Sequence, residues 1–249
     1  MPDIVPYALA VGDDALVLGH RLSEWSSRAP TIEEDIALSN LGLDLIGQAR
    51  LFYQLAGELE GRGRDEDALA YFRDAGEYRC IHLVQFPKGD FAFTMARQLV
   101  YSAFVHPYYE VLQGSRESRL AEIAAKAVKE MAYHLRHSAE WVIRLGDGTD
   151  ESRQRMVAAL EAIWPYTGEL FRMTDDERAL AAGSIVPDRE SLRLVWQTTI
   201  GRVLAEAKLD LPAVELVPCA GRDGFHTPHL SEMLAEMQSL ARAMPDAKW

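Results

Sequence analysis

Acid and imidazole side chains at helical spacing are the residues of this chain best suited to chemistry. Asp44 falls within the apolar arc of Leu41, Leu51 and Leu55 when its segment is wound at about 100° per residue, with Asn40 and Gln48 one turn to either side. An aspartate is a poor mid-helix residue, so this position calls for a partner. Glu77 lies mid-way along the next helical segment, between Arg73 and Cys80. Glu130 edges the inner stripe of a later helix, His134 sits one turn further on and nearer the stripe's centre, and Lys126 one turn before can pair with Glu130. Inward acids on several long helices suggest the chemistry of a carboxylate-bridged di-metal bundle. Two cations there need several anionic oxygens, one from each of two helices and a Glu-x-x-His from each of the other two.

The ligand set is incomplete. Glu77 is followed at the histidine position by Cys80, and Glu130 by Tyr133, which leaves His134 one residue out of phase. Adjacent antiparallel helices return to one level after roughly 25–35 residues. The stretch from Phe91 to Tyr109, where the remaining carboxylate would lie, contains no Asp or Glu, and Ser102 stands near the expected level. The residues therefore point to a degenerate remnant, a paired polar cluster of Asp44, Glu77, Glu130 and His134 in which Lys126 or Arg73 replaces the metal charge, because buried charges persist only when paired. Two other spacings invite metal: His134-x-x-His137, which supplies only two ligands, and Asp223-x-x-His226 with His229, which sits where capping and turning residues are common. Gly221-Arg222-Asp223-Gly224 lacks both the lysine and the preceding strand of a phosphate loop.

The elements that must position these groups are helices throughout. The spacing predicts helices over about Asp13–Arg28, with Leu18, Leu22 and Trp25 inward, and from Thr31 to Gly61, opened by a Thr31/Glu34 capping box with Leu41, Leu45, Phe52, Leu55 and Leu59 inward. Further helices are expected over Asp65–Val84, Phe91–Leu112, Ser118–Leu145, Glu151–Phe171, Asp175–Ala182 and Asp188–Lys208. A Pro/Gly-rich connection, Leu209–Gly224, precedes a last helix capped by Thr227 and opened by Pro228. Short loops between long helices predict an all-α antiparallel bundle, with residues 1–249 as one domain. The net charge of −12 argues against nucleic acid as a partner. No segment has the roughly 20 apolar residues of a membrane span. Cys80 and Cys219, in no metal-type spacing with each other, suit free thiols in a reducing cytoplasm.

Several stretches together carry a resemblance. Leu18-Gly19-His20-Arg21-Leu22-Ser23-Glu24-Trp25, the run Asn40 to Arg50, Pro87-Lys88-Gly89-Asp90-Phe91-Ala92, Lys129 to Arg136, Arg144 to Thr149, and His226-Thr227-Pro228-His229-Leu230 with Leu234 to Gln238 resemble, in order, the C-subunit family of the bacterial phenylacetyl-CoA epoxidases. The resemblance implies a ferritin-like helical bundle with additional helices. It also implies a non-catalytic role in a multicomponent complex that epoxidises the ring of phenylacetyl-CoA with O2 and electrons from an NADPH-dependent reductase. No cofactor is then expected in this chain; di-iron is expected in the catalytic A subunit, its partner beside the other subunits. Two other readings stay open: an autonomous metal-dependent oxidase using Asp44, Glu77, Glu130 and His134, and an acyl-CoA carrier. The chain alone could also pair with itself through its partner-facing patch.

Overall fold

The fold is built on two long helical hairpins. In the computed structural model, which describes residues 3–245 and 247, the described residues form helices and no strands. In chain order the helices are α1 (Val5–Ser23), α2 (Ile32–Glu60), α3 (Glu66–Tyr71), α4 (His82–Gln85), α5 (Phe91–Leu112) and α6 (Ser118–Gly146). They continue with α7 (Asp150–Ile163), α8 (Asp175–Ala182), α9 (Arg193–Glu206), α10 (Pro228–Met237) and α11 (Ser239–Ala243), with short 3-10 turns among them. Helices α1 and α2 form one antiparallel pair and α5 and α6 the other; together they make the four-helix core of a ferritin-like bundle. The remaining helices are additions around that core, α7 and α9 packing on the α5/α6 pair.

Local chemistry explains most boundaries. The Thr31 hydroxyl accepts the Glu34 N–H at 3.3 Å, Glu33, Glu34 and Asp35 face the positive helix end, and Gly61 closes α2 in the left-handed conformation at φ 64°. Asp90 caps α5 by accepting the Phe93 N–H at 2.8 Å. Helix α6 has the clearest amphipathic stripe, with Leu120, Ile123, Ala127, Met131, Ser138 and Val142 buried. Helices α1 and α2 approach closely because Gly19 and Gly42 meet: a Cβ on Gly19 would lie 3.0 Å from the Gly42 carbonyl oxygen.

Several elements differ from the sequence expectation, among them the helix expected over Glu151–Phe171, which ends at Ile163 and gives way to a 3-10 turn at Trp164–Phe171. Helix α1 begins at Val5, eight residues before Asp13, because Pro6 opens it in the first turn. Asp13 and Asp14, expected at a helix start, are instead mid-helix and buried. The helix expected over Asp65–Val84 is broken into α3, a 3-10 turn at Ala75–Glu77, an extended stretch and α4. The cause is the same aspartate pair: Asp13 accepts the Arg79 N–H at 2.7 Å and Asp14 the Ile81 N–H at 2.9 Å, satisfying backbone donors that a helix would have paired internally. Finally, the Thr227 hydroxyl does not cap α10 but donates to Gln85 Oε1 at 3.0 Å. Among the described residues, no helix is long and apolar enough to cross a membrane.

Candidate functional site

The interior of the four long helices holds a chain of polar side chains at mid-height. His134 on α6 is fully buried, and its two ring nitrogens are both engaged: Nε2 meets Asp44 Oδ2 on α2 at 3.1 Å, and Nδ1 meets the Gln98 amide on α5 at 3.0 Å. An ionised carboxylate only accepts, so Nε2 carries the proton and Nδ1 takes the Gln98 N–H. Asp44 remains about a third exposed, which lets water share its charge. One turn along α2, Gln48 donates to Glu130 Oε2 at 2.9 Å and accepts from the Tyr109 hydroxyl at 3.3 Å. Ser102 and Ser138 complete the strip, each hydroxyl turned back to the carbonyl four residues before it in its own helix, at 2.6 and 2.7 Å.

This arrangement brings together three of the four acid and imidazole residues singled out in the sequence, Asp44, Glu130 and His134. Glu77 is corrected: it lies in the exposed 3-10 turn, where its carboxylate accepts the Asp74 N–H at 2.7 Å, because the helix expected to carry it inward does not form. Arg73 is also corrected. It is buried, but against Asp13 rather than the Asp44 cluster. Lys126 is exposed on α6, with no ion pair among the described residues, so it supplies no counter-charge to Glu130. The cluster is held instead by neutral partners, the amides of Gln48 and Gln98.

What the four helices offer at this level decides the chemistry. Helix α1 carries two acids, Asp13 and Asp14, but they are engaged with Arg73 and Arg222. Helix α5 offers Gln98 and Ser102. Thus α5 presents neutral groups where a bridged di-metal site needs carboxylates, and the carboxylates of α1 are already paired with arginines. Only α2 and α6 bring anionic oxygen to the strip itself. The residues present fit a hydrogen-bonded polar strip better than a pair of cations.

The buried charges lie one layer away, and sequence reasoning missed them. Asp13 accepts from the Tyr53 hydroxyl at 2.6 Å, from both terminal nitrogens of Arg73, and from the Arg79 backbone. Arg73 also stacks on the Tyr78 ring at 4.2 Å. Asp14 pairs with Arg222 at 2.5 Å, and Arg222 donates further to the carbonyls of Ala10 and Arg79. Burial lifts the Asp14 carboxyl to about 6, with Arg222 opposing the shift. A third pair, Glu177 with Arg189, lies beside the bonded hydroxyls of Tyr7 and Tyr108. The detectable signal was the placement of Asp13-Asp14 inside the apolar run Tyr7 to Leu18. A cavity bounded by Asp14, Arg189, Arg222 and Tyr101 has a volume of about 20 Å³, room for one water and far too little for a substrate.

The remaining imidazoles are dispersed. His137 pairs with Glu34 at 2.9 Å, Asp223 with Arg172 at 2.5 Å, and His226 bridges the Gln85 side chain and the Tyr78 carbonyl at 2.8 and 2.9 Å. Asp223, His226 and His229 therefore do not converge. Among the described residues, the one convergent group of metal-competent side chains lies outside the bundle interior, at His82, Glu169 and Cys219.

Comparison with known proteins places this geometry in context. A family described as "Phenylacetic acid catabolic protein" matches residues 2–249. The chain is 44% identical over 249 residues, the full length of both chains, to the C subunit of the 1,2-phenylacetyl-CoA epoxidase of Escherichia coli (strain K12).

Proposed function

From the premise that the chain belongs to the phenylacetic acid catabolic protein family, we propose that it is the non-catalytic subunit of a phenylacetyl-CoA epoxidase complex, a helical scaffold that docks and positions a di-iron catalytic subunit. The observation that carries this reading is the composition of the bundle interior. On α5, Gln98 and Ser102 stand where anionic ligands would have to converge, the acids of α1 are paired with Arg73 and Arg222, and the imidazole of His134 is spent on Asp44 and Gln98. The oxygen chemistry is then the partner's, and this chain contributes shape and surface.

The outer face of α2 supports a docking role. Ile32, Ile36 and Leu43, spaced four and seven residues apart on one helix face, are 74%, 58% and 66% exposed. Tyr133 on α6, next in sequence to the His134 that bonds Asp44, is 40% exposed as well. An apolar stripe of this kind on a charged chain is the chemistry of a partner interface. The test is co-expression with the di-iron subunit followed by co-purification. The pair is expected to form with the unaltered chain and to be lost on the Ile36→Glu/Leu43→Glu change, while the melting temperature of the lone variant stays put. Stoichiometric iron in the lone chain together with turnover of phenylacetyl-CoA would overturn the reading, as would undiminished pairing of the variant.

A further inference from the structure

Three side chains from distant parts of the sequence meet outside the helical core. His82 opens α4, Glu169 lies in the 3-10 turn Trp164–Phe171, and Cys219 lies in the irregular connection between α9 and α10. One ligand atom from each lies within 4.8 Å of the other two. The carboxylate is buried and fixed from two sides: Oε2 accepts the His82 N–H at 2.7 Å and Oε1 the Gly221 N–H at 2.8 Å. Each oxygen bound this way retains a lone pair.

The imidazole is oriented as a ligand's would be. His82 Nε2 lies 2.8 Å from the Phe225 carbonyl oxygen, and a carbonyl only accepts, so Nε2 holds the proton and Nδ1 keeps its lone pair. A ring N–H donated to a backbone carbonyl is the usual device that fixes the tautomer of a metal-bound histidine. The thiol completes the set. Cys219 is half-buried, and its Sγ–H donates to the Val217 carbonyl at 3.5 Å. Arg172 Nη2 donates to Asp223 at 2.5 Å, while its Nη1 is buried without a hydrogen-bond partner among the described residues.

We propose that His82, Glu169 and Cys219 form a binding site for a divalent metal of the zinc class, which ties the connection after α9 to the 3-10 turn and α4. One sulfur, one imidazole nitrogen and one carboxylate oxygen suit a borderline-soft ion and leave a fourth tetrahedral position for water. Binding replaces the Sγ–H bond by a metal–thiolate bond and releases the proton to solvent, with no change of oxidation state. The site is independent of the scaffold reading. It lies apart from the polar strip inside the bundle and uses none of its residues.

The test is titration of the full chain with cobalt(II), whose thiolate complexes show a charge-transfer absorption in the near ultraviolet, followed by displacement with zinc(II). One cobalt per chain with that band, bleached by zinc, is expected. Cys219→Ser should abolish the band. His82→Ala should weaken cobalt affinity by about tenfold or more. His229→Ala, at a half-buried histidine paired with Glu232, should leave the titration unchanged. Circular dichroism of each variant separates lost binding from lost fold. Absence of the band in the unaltered chain, or its persistence in Cys219→Ser, would overturn the proposal.

Discussion

The Asp13–Arg73 pair offers the sharpest quantitative test of how this fold is held. Both side chains are essentially inaccessible, and Asp13 serves four donors: the Tyr53 hydroxyl, two Arg73 nitrogens and the Arg79 amide. Asp13→Ala would leave the guanidinium of Arg73 buried without an anion, facing the carbonyls of Leu69 and Glu77, the Tyr53 hydroxyl and the rings of Tyr53 and Tyr78. Breaking a buried pair from one side costs about 3–5 kcal/mol. Arg73→Met keeps the stem volume and should cost toward the lower end of that range, because Asp13 retains two donors. The double variant removes both charges at once, so its cost should fall below the sum of the singles by about 2 kcal/mol or more. Urea unfolding followed by circular dichroism measures all three against the unaltered chain, provided the slope of each transition is unchanged. Additivity within about 0.5 kcal/mol would refute the reasoning, since it would mean that the two charges do not depend on one another.

Other outcomes follow from the same contacts. Burial raises Asp14 from 3.8 to about 6, so its contribution to stability is full below pH 4 and is lost as pH rises through 6; this loss, about 3 kcal/mol, should be absent from the stability profile of Asp14→Asn between pH 4 and 7. Glu130→Ala removes the acceptor of the Gln48 amide and should cost about 1–3 kcal/mol in urea unfolding while leaving turnover per assembled complex unchanged; lost turnover in an intact complex would contradict the scaffold role. At Gly221 a Cβ would come within 2.2 Å of the Cys80 carbonyl oxygen, so Gly221→Ala should displace the turn that carries Arg222 and lower the melting temperature, by an overpacking cost of about 1–3 kcal/mol.

The core helices were legible because their signals are local. Capping at Thr31, the glycine stop at Gly61 and the apolar stripe of α6 all act within a few residues, and the helices they predict are present. What the sequence hid was tertiary. The segment 65–84 has helical periodicity, and only the carboxylates of Asp13 and Asp14, brought in from α1, draw its backbone out of the helix. The same cause misplaced Glu77 and Arg73, which periodicity put on one inward face with Cys80. The Asp44–His134 contact was foreshadowed because each residue lay on the inner arc of a regular helix. Its actual partners, Gln98 and Gln48, were harder to read, since a neutral amide announces no charge to be balanced.

The position of the charges bears on how such a bundle keeps its shape without metal ligands. A carboxylate cluster inside four helices is tolerable only with cations to bind it. Here the anionic groups at that level are reduced to Asp44, partly in water, and Glu130, part-buried against an amide. The strong ion pairs sit at the periphery of the core instead, where Asp13–Arg73 fixes the segment after α3, Asp14–Arg222 fixes the turn before α10, and Glu177–Arg189 fixes α8. The first two pairs tie an added element to α1, and the third joins two added elements; none joins one core helix to another. The helix pairs themselves are held by apolar contact and by the close approach of Gly19 and Gly42. A frame whose cohesion does not pass through its central polar groups can exchange carboxylates for amides and serines at little cost. On this reasoning, substitutions among Gln98, Ser102 and Ser138 should be milder than any that break an added element's ion pair.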